Sequence, residues 1–182
     1  MDGNIVLVGF MGAGKSSVGR VLARRLGRCL VETDDMITAA EGRSIPEIFA
    51  AEGEAYFRAA EDEVLRLLAL KRGEVIATGG GLPCREGRMD ALKRLGTVVW
   101  LSGDFEALYE RALRGGDRPM LAGRTRDDVR TLYHAREPFY ARAAFTVDTT
   151  SLGPDQVAAR IAGVLRSRDR RAFEGAVQAP SE

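Results

Sequence analysis

Eight consecutive residues, Gly9-Phe10-Met11-Gly12-Ala13-Gly14-Lys15-Ser16, carry the most specific chemistry in this chain. Two glycines separated by four residues and followed by Lys and Ser form a pattern that cradles a polyphosphate. Small residues let main-chain N–H groups turn inward around phosphate oxygens, and a helix starting there adds its positive end. Lys15 would then reach the β- and γ-phosphates of ATP, and the Ser16 hydroxyl would ligate Mg²⁺. The competing reading is a chance glycine-rich turn. The flanking sequence argues against it, because an apolar run precedes the loop and a helical pattern follows, as the mechanism requires. Composition adds weight: of 27 basic residues only Lys15, Lys71 and Lys93 are lysines, and one falls where an ammonium is wanted.

A phosphate-bound Mg²⁺ usually needs an acid at the end of a neighbouring strand. The run Glu74–Thr78 ends in Thr78-Gly79-Gly80-Gly81, with no carboxylate, and Asp148 has the look of an ordinary capping acid. Glu32 and Asp34 are better placed. They stand two residues apart at the carboxyl end of a second strand, so alternation puts them on one side. That edge is where ligands bind in open α/β sheets. The alternative is that Asp34 or Asp35 only caps the following helix.

The elements that position these residues can be read from apolar periodicity. An unbroken apolar run at Asn4–Gly9 suits a strand buried on both faces, and shorter strands are expected at Cys29–Thr33, Glu74–Thr78, Thr97–Ser102 and Ala144–Asp148. Helical material separates each from the next. It comprises Val18, Val21, Leu22 and Leu26 up to Gly27, then Asp35–Glu41, and a capping box at Ser44 and Glu47. The longest helix is expected over Glu54–Leu70, with Phe57, Ala60, Val64, Leu67 and Leu68 as its stripe, and a last helix opens at Pro154. Alternating strands and helices predict a three-layer α/β fold: a five-stranded parallel sheet flanked by helices.

Residues 1–166 form one domain built on the phosphate cradle in this reading, and 167–182 a disordered tail. At 45% hydrophobic and 29% charged residues the chain suits a globular core, and its net charge of +1 gives no basic excess for nucleic acid. No apolar run approaches membrane-spanning length, and Met1-Asp2-Gly3-Asn4 has no basic leader, so a cytoplasmic protein is expected. Cys29 and Cys84 lack metal-ligand spacing and are expected to be reduced thiols.

From Asn4 to Leu165 the sequence resembles the shikimate kinases, a branch of the nucleoside-monophosphate-kinase-like P-loop family. The resemblance rests on the cradle, Glu32-Thr33-Asp34, Gly42-Arg43-Ser44-Ile45 with Ile48-Phe49, Gly53-Glu54 and Phe57-Arg58. Thr78-Gly79-Gly80-Gly81, Arg118-Pro119-Met120-Leu121 and Arg136 before Pro138-Phe139-Tyr140 complete it. It implies that Gly12, Ala13, Gly14, Lys15, Ser16 and Ser17 hold the ATP phosphates. Shikimate is a ring with one carboxylate and three hydroxyls. Arg58 and Arg136 would clamp the carboxylate. Asp34 would bind hydroxyls and take the proton of the attacking one. Gly79, Gly80 and Gly81 would let the backbone approach the ring.

Arg118 would sit on a mobile lid, about residues 112–126, that brings charge to the transferring phosphoryl group and excludes water. Arg111 would pack near the adenine, and His134 would be a bystander. A monomer acting on a small molecule is expected. Two departures stand out: Glu32 replaces the usual Asp, adding a methylene to the Mg²⁺ ligand, and Thr149-Thr150-Ser151-Leu152 lacks an arginine many relatives use near the adenine. The cradle by itself leaves open a gluconate or nucleotide kinase, or a non-catalytic nucleotide-binding module. The joint presence of Asp34, Arg58, the glycine triplet and Arg136 favours shikimate.

Overall fold

The computed structural model describes residues 3–115 and 123–177, with side chains described through residue 168. Five strands, β1 (Asn4–Val8), β2 (Leu30–Glu32), β3 (Val75–Ala77), β4 (Gly96–Ser102) and β5 (Phe145–Asp148), pair in the order β2-β3-β1-β4-β5. All four pairings are parallel. Each strand matches its predicted segment to within about a residue at either end, the usual margin for element boundaries. Among the described residues seven α-helices complete the layers: α1 (Lys15–Leu26), α2 (Thr33–Glu41), α3 (Ile45–Leu68), α4 (Arg88–Leu95), α5 (Phe105–Arg114), α6 (Arg126–Tyr140) and α7 (Pro154–Val177).

The central strand is buried at every position, from Asn4 to Val8. Asn4 is the one polar residue in it, and its side chain is satisfied: Nδ2 donates to the carbonyls of Lys71 and Leu95, while Oδ1 accepts from the Glu74 amide. It thereby ties the incoming ends of β1, β3 and β4 together. The outgoing ends are left to bind ligands. The cradle leaves β1, the Glu32–Asp34 pair leaves β2 and the glycine triplet leaves β3, so one sheet edge collects all three. The neighbouring strands β3 and β4 lie on opposite sides of β1, the arrangement that opens a crevice at that edge.

In α3 the helix opened by the Ser44–Glu47 capping box and the one expected from Glu54 are both present and meet at a kink, where Gly53 has φ 78° and ψ −178°. Two expectations are corrected. The buried stripe beyond the kink is Phe57, Glu61, Val64, Leu65 and Leu68, whereas Leu67 is 45% exposed. Leu65 lies four residues from Glu61 and one from Val64 and replaces Leu67 on the core face; an apolar count passes over the acid that marks the stripe's true line. Finally, α7 continues past Arg166 to Val177, so the boundary placed at 166 falls inside a helix. Arg and Ala are strong helix formers, and extending an existing helix needs no new nucleus. Residues 178–182 of the expected tail lie outside the described residues, as do 116–122, which hold the middle of the expected lid and Arg118.

Candidate active site

The cradle turns sharply because its glycines allow it. Gly12 and Gly14 have φ 78° and 83°, the left-handed region, and a Cβ on Gly12 would run into the Leu108 carbonyl of α5. Gly14 then caps α1, accepting from the Val18 amide at 2.8 Å. The first-turn N–H groups of any α-helix lack intrahelical partners, so Lys15, Ser16 and Ser17 bring a positive helix end to the sheet edge. The Lys15 ammonium folds back over the loop, donating to the carbonyls of Gly9 and Phe10 at 2.8 and 3.0 Å. Ser17 is exposed on the same turn.

Ser16 and Glu32 meet. The Ser16 hydroxyl donates to Glu32 Oε2 at 2.6 Å, and Arg20 stands 3.9 Å from the other carboxylate oxygen. Both are hard oxygen donors, the type Mg²⁺ takes. Among the described residues no cluster of three or more His, Cys, Asp or Glu could hold a metal alone. The pair therefore fits an ion that keeps phosphate and water oxygens as its other ligands.

Asp34 lies in the first turn of α2, but it does not cap it; the cap position is Glu32, and no side chain closes it. Its carboxyl faces the triplet. A Cβ on Gly79 would stand 2.5 Å from Asp34 Oδ1, so the backbone of β3's exit passes close against the carboxylate, and a side chain there would push it aside. Burial pushes the Asp34 carboxyl above its usual value, and the charge of Lys15 and a hydrogen bond from Thr33 offset part of that. We predict that Gly79→Ala lowers kcat/KM for the acceptor by about 10²-fold, the usual scale for roughly 1 Å of misplacement. ATP affinity should change little; an equal loss of both would indicate a collapsed edge.

The two candidate clamps arrive from different helices. Both flank Gly81, whose Cβ would lie 3.4 Å from Arg136 Nη2 and 3.6 Å from Arg58 Nη1. They line one cavity of about 600 Å³ with Glu54, Cys84, Arg85 and Phe139. Arg136 packs its guanidinium 5.9 Å from the centre of the Phe10 ring, and no carboxylate among the described residues is paired with it. Arg58 is paired, to Glu54 and to Glu61. Burial opposes its charge, but hydrogen bonds to Glu61 and Glu54 hold its pKa above the usual value.

Sequence reasoning missed the residues that brace these groups. The Thr33 hydroxyl, 1% exposed, accepts the Gly79 amide at 2.8 Å, and the fully buried Tyr140 donates to the Gly80 carbonyl at 2.7 Å. Together they fix the triplet between α2 and α6. Glu61 is buried on the core face of α3 between Arg58, at 2.9 Å, and Arg85, at 3.5 Å. Burial raises its carboxyl and the two guanidiniums oppose the rise. Its signal was an acid at a stripe position three residues after Arg58. Burial likewise raises the Cys84 thiol, leaving it a packing group.

Arg111 sits apart, beyond the cradle. Its Nη2 donates to the carbonyls of Thr149 and Thr150 at 2.7 and 2.6 Å. It ties α5, against which Gly12 packs, to the turn after β5. Asp148 accepts from the amide and hydroxyl of Thr150, closing that same turn. Among the described residues His134 bonds its helix neighbour Glu137, at 2.8 Å.

The model of the shikimate kinase family matches residues 11–166. The chain belongs to the shikimate kinase family. It is 46% identical over 172 residues to the shikimate kinase of Symbiobacterium thermophilum, covering 92% of this chain and 99% of that one. The Moorella thermoacetica enzyme is 42% identical over 167 residues, covering 92% and 96%. Among solved structures, shikimate kinase from Acinetobacter baumannii in complex with shikimate aligns with a TM-score of 0.86 at 38% identity, covering 91% of this chain and 94% of that one. A gluconokinase from Sinorhizobium meliloti aligns at a TM-score of 0.61 and 22% identity, a likeness of fold. Shikimate kinases use ATP and Mg²⁺, and the Ser16–Glu32 donor pair suits that metal.

Proposed function

We propose that the enzyme transfers the γ-phosphoryl group of ATP to a hydroxyl of shikimate, giving shikimate 3-phosphate, a step of aromatic amino-acid biosynthesis. One observation carries the reading: two guanidiniums flank Gly81 while the half-buried carboxylate of Asp34 abuts Gly79, two residues away. That spacing suits an acceptor with a carboxylate at one end and hydroxyls at the other. Arg136 and Arg58 bind the carboxylate, because a guanidinium fork matches it in two parallel bonds. Asp34 orients the hydroxyl and takes its proton, aided by a pKa that burial has raised.

On the donor side, main-chain amides from Gly12 to Ser17 and the Lys15 ammonium bind the phosphates. Ser16 and Glu32 hold Mg²⁺, which when bound supplies charge neutralisation on the phosphate oxygens. Arg118 adds positive charge from the lid; this assignment rests on the resemblance, since it lies outside the described residues. Arg111 serves the adenine side by holding the 149–150 turn. No helix among the described residues is long and apolar enough to cross a membrane. A cytoplasmic monomer with no nucleic-acid or membrane partner is our reading of the remaining surface.

A panel of acceptors in a coupled ADP-release assay tests the reading. Turnover is expected with shikimate, and turnover with gluconate or a nucleoside monophosphate in its place would overturn it. Arg136→Ala should raise the KM for shikimate by about 30-fold or more, the scale for removing one partner of a desolvated charge pair. The KM for ATP should stay within about twofold, since the guanidinium lies on the acceptor side of the triplet.

A further inference from the structure

Arg58 does not wait empty for an acceptor. Its Nε and Nη2 both donate to Glu54 Oε1, at 3.1 and 2.8 Å, while Nη1 donates to Glu61 Oε2 at 2.9 Å. The two carboxylates differ in kind. Glu61 is 4% exposed and braced by a second guanidinium, Arg85. Glu54 is 68% exposed, lines the same cavity as Gly81 and Arg136, and begins a helical segment just after the Gly53 break. Glu61 is a fixed, buried partner of Arg58, and Glu54 is a side chain that solvent can receive.

The edge formed by Nε and Nη2 is one of the edges through which a guanidinium pairs with a carboxylate. We propose that Glu54 is a specificity-determining residue: an internal carboxylate that occupies this edge of Arg58 and is displaced by the carboxylate of the acceptor. The proposal rests on the acceptor assignment made above. The exchange replaces one anion by another, so the buried end of Arg58 stays neutralised by Glu61 throughout, and its charge stays compensated before and after binding.

The competition is set to be won by the right ligand. An exposed pair four residues apart on a helix is weak, so displacing Glu54 weakens acceptor binding by only about two- to fivefold. A carboxylate that also engages Arg136, which has no anionic partner among the described residues, overcomes that readily. A ligand touching Arg58 alone gains little over the resident glutamate.

Isothermal titration of shikimate into the full-length protein and into Glu54→Gln tests this, because glutamine keeps the shape and removes the charge. Glu54→Gln is expected to bind shikimate about two- to fivefold tighter than the unmodified protein, with the gap narrowing as ionic strength rises. In an Arg58→Ala background the same substitution should give no gain. Unchanged affinity would make the pair a solvated surface contact, and weaker binding would make Glu54 a support for Arg58; either overturns the proposal, as does a gain that persists without Arg58. Melting curves check that each variant is folded. If the unmodified protein binds ADP but no shikimate, the acceptor assignment itself fails, which separates the two outcomes.

Discussion

Asp34→Asn is expected to lower kcat by about 10²–10⁴-fold, the range for losing a positioned general base, and to raise the melting temperature. Both effects come from one environment. Asp34 is enclosed by α2, the triplet and Lys15, and burial makes its ionised form unfavourable. A carboxyl raised in this way holds a proton more tightly in the folded state than in the unfolded chain. Its contribution to stability is therefore full below the ordinary carboxylate pKa and is lost as pH rises through the raised folded value. At neutral pH the folded protein carries an ionised group that burial disfavours. Asparagine removes that burden, so the gain in melting temperature should be largest at neutral pH and shrink in acid.

The same shift predicts the pH profile. At saturating acceptor, kcat of the unmodified enzyme should fall by about tenfold per pH unit below the raised Asp34 pKa. That acid limb should lie above the ordinary carboxylate range and be absent from the residual activity of Asp34→Asn. An Asn variant retaining more than about a tenth of normal kcat would remove Asp34 from proton transfer. A loss of activity accompanied by a lower melting temperature would instead mean that the substitution had damaged the edge of the sheet.

The parts of this site that could be read from sequence are those whose chemistry is local. The cradle is eight contiguous residues, and its turn, its helix cap and its ammonium follow from their order alone. Strand positions were legible because a parallel sheet covered on both faces demands unbroken apolar runs. The braces were not legible, because they join residues far apart in the chain: Thr33 to Gly79 across 46 positions, and Tyr140 to Gly80 across 60. A buried hydroxyl leaves no periodic trace. Glu61 left one, an acid within an apolar stripe, but periodicity counts apolar residues and passed over it to Leu67. The Gly53 kink escaped for the opposite reason. A glycine between two helical patterns reads as a boundary, whereas here it joins them at an angle and presents Glu54 beside Arg58.

Lys15→Met should lower kcat by at least about 10³-fold, the upper end of what one charge-stabilising donor contributes. Methionine keeps much of the aliphatic stem and loses only the ammonium that bonds the Gly9 and Phe10 carbonyls. The residual activity carries a further signature. The Lys15 charge is the largest influence holding the Asp34 carboxyl down against burial. Removing it should push that carboxyl higher still, so the acid limb of kcat should move to higher pH in Lys15→Met. Loss of rate without such movement would mean that the ammonium serves the phosphates alone and is electrostatically separate from the base. Near-normal turnover would mean that the loop amides hold the donor without it. A shifted limb would show one cation binding the donor phosphates and, through the same charge, setting the pH at which the acceptor's base ionises.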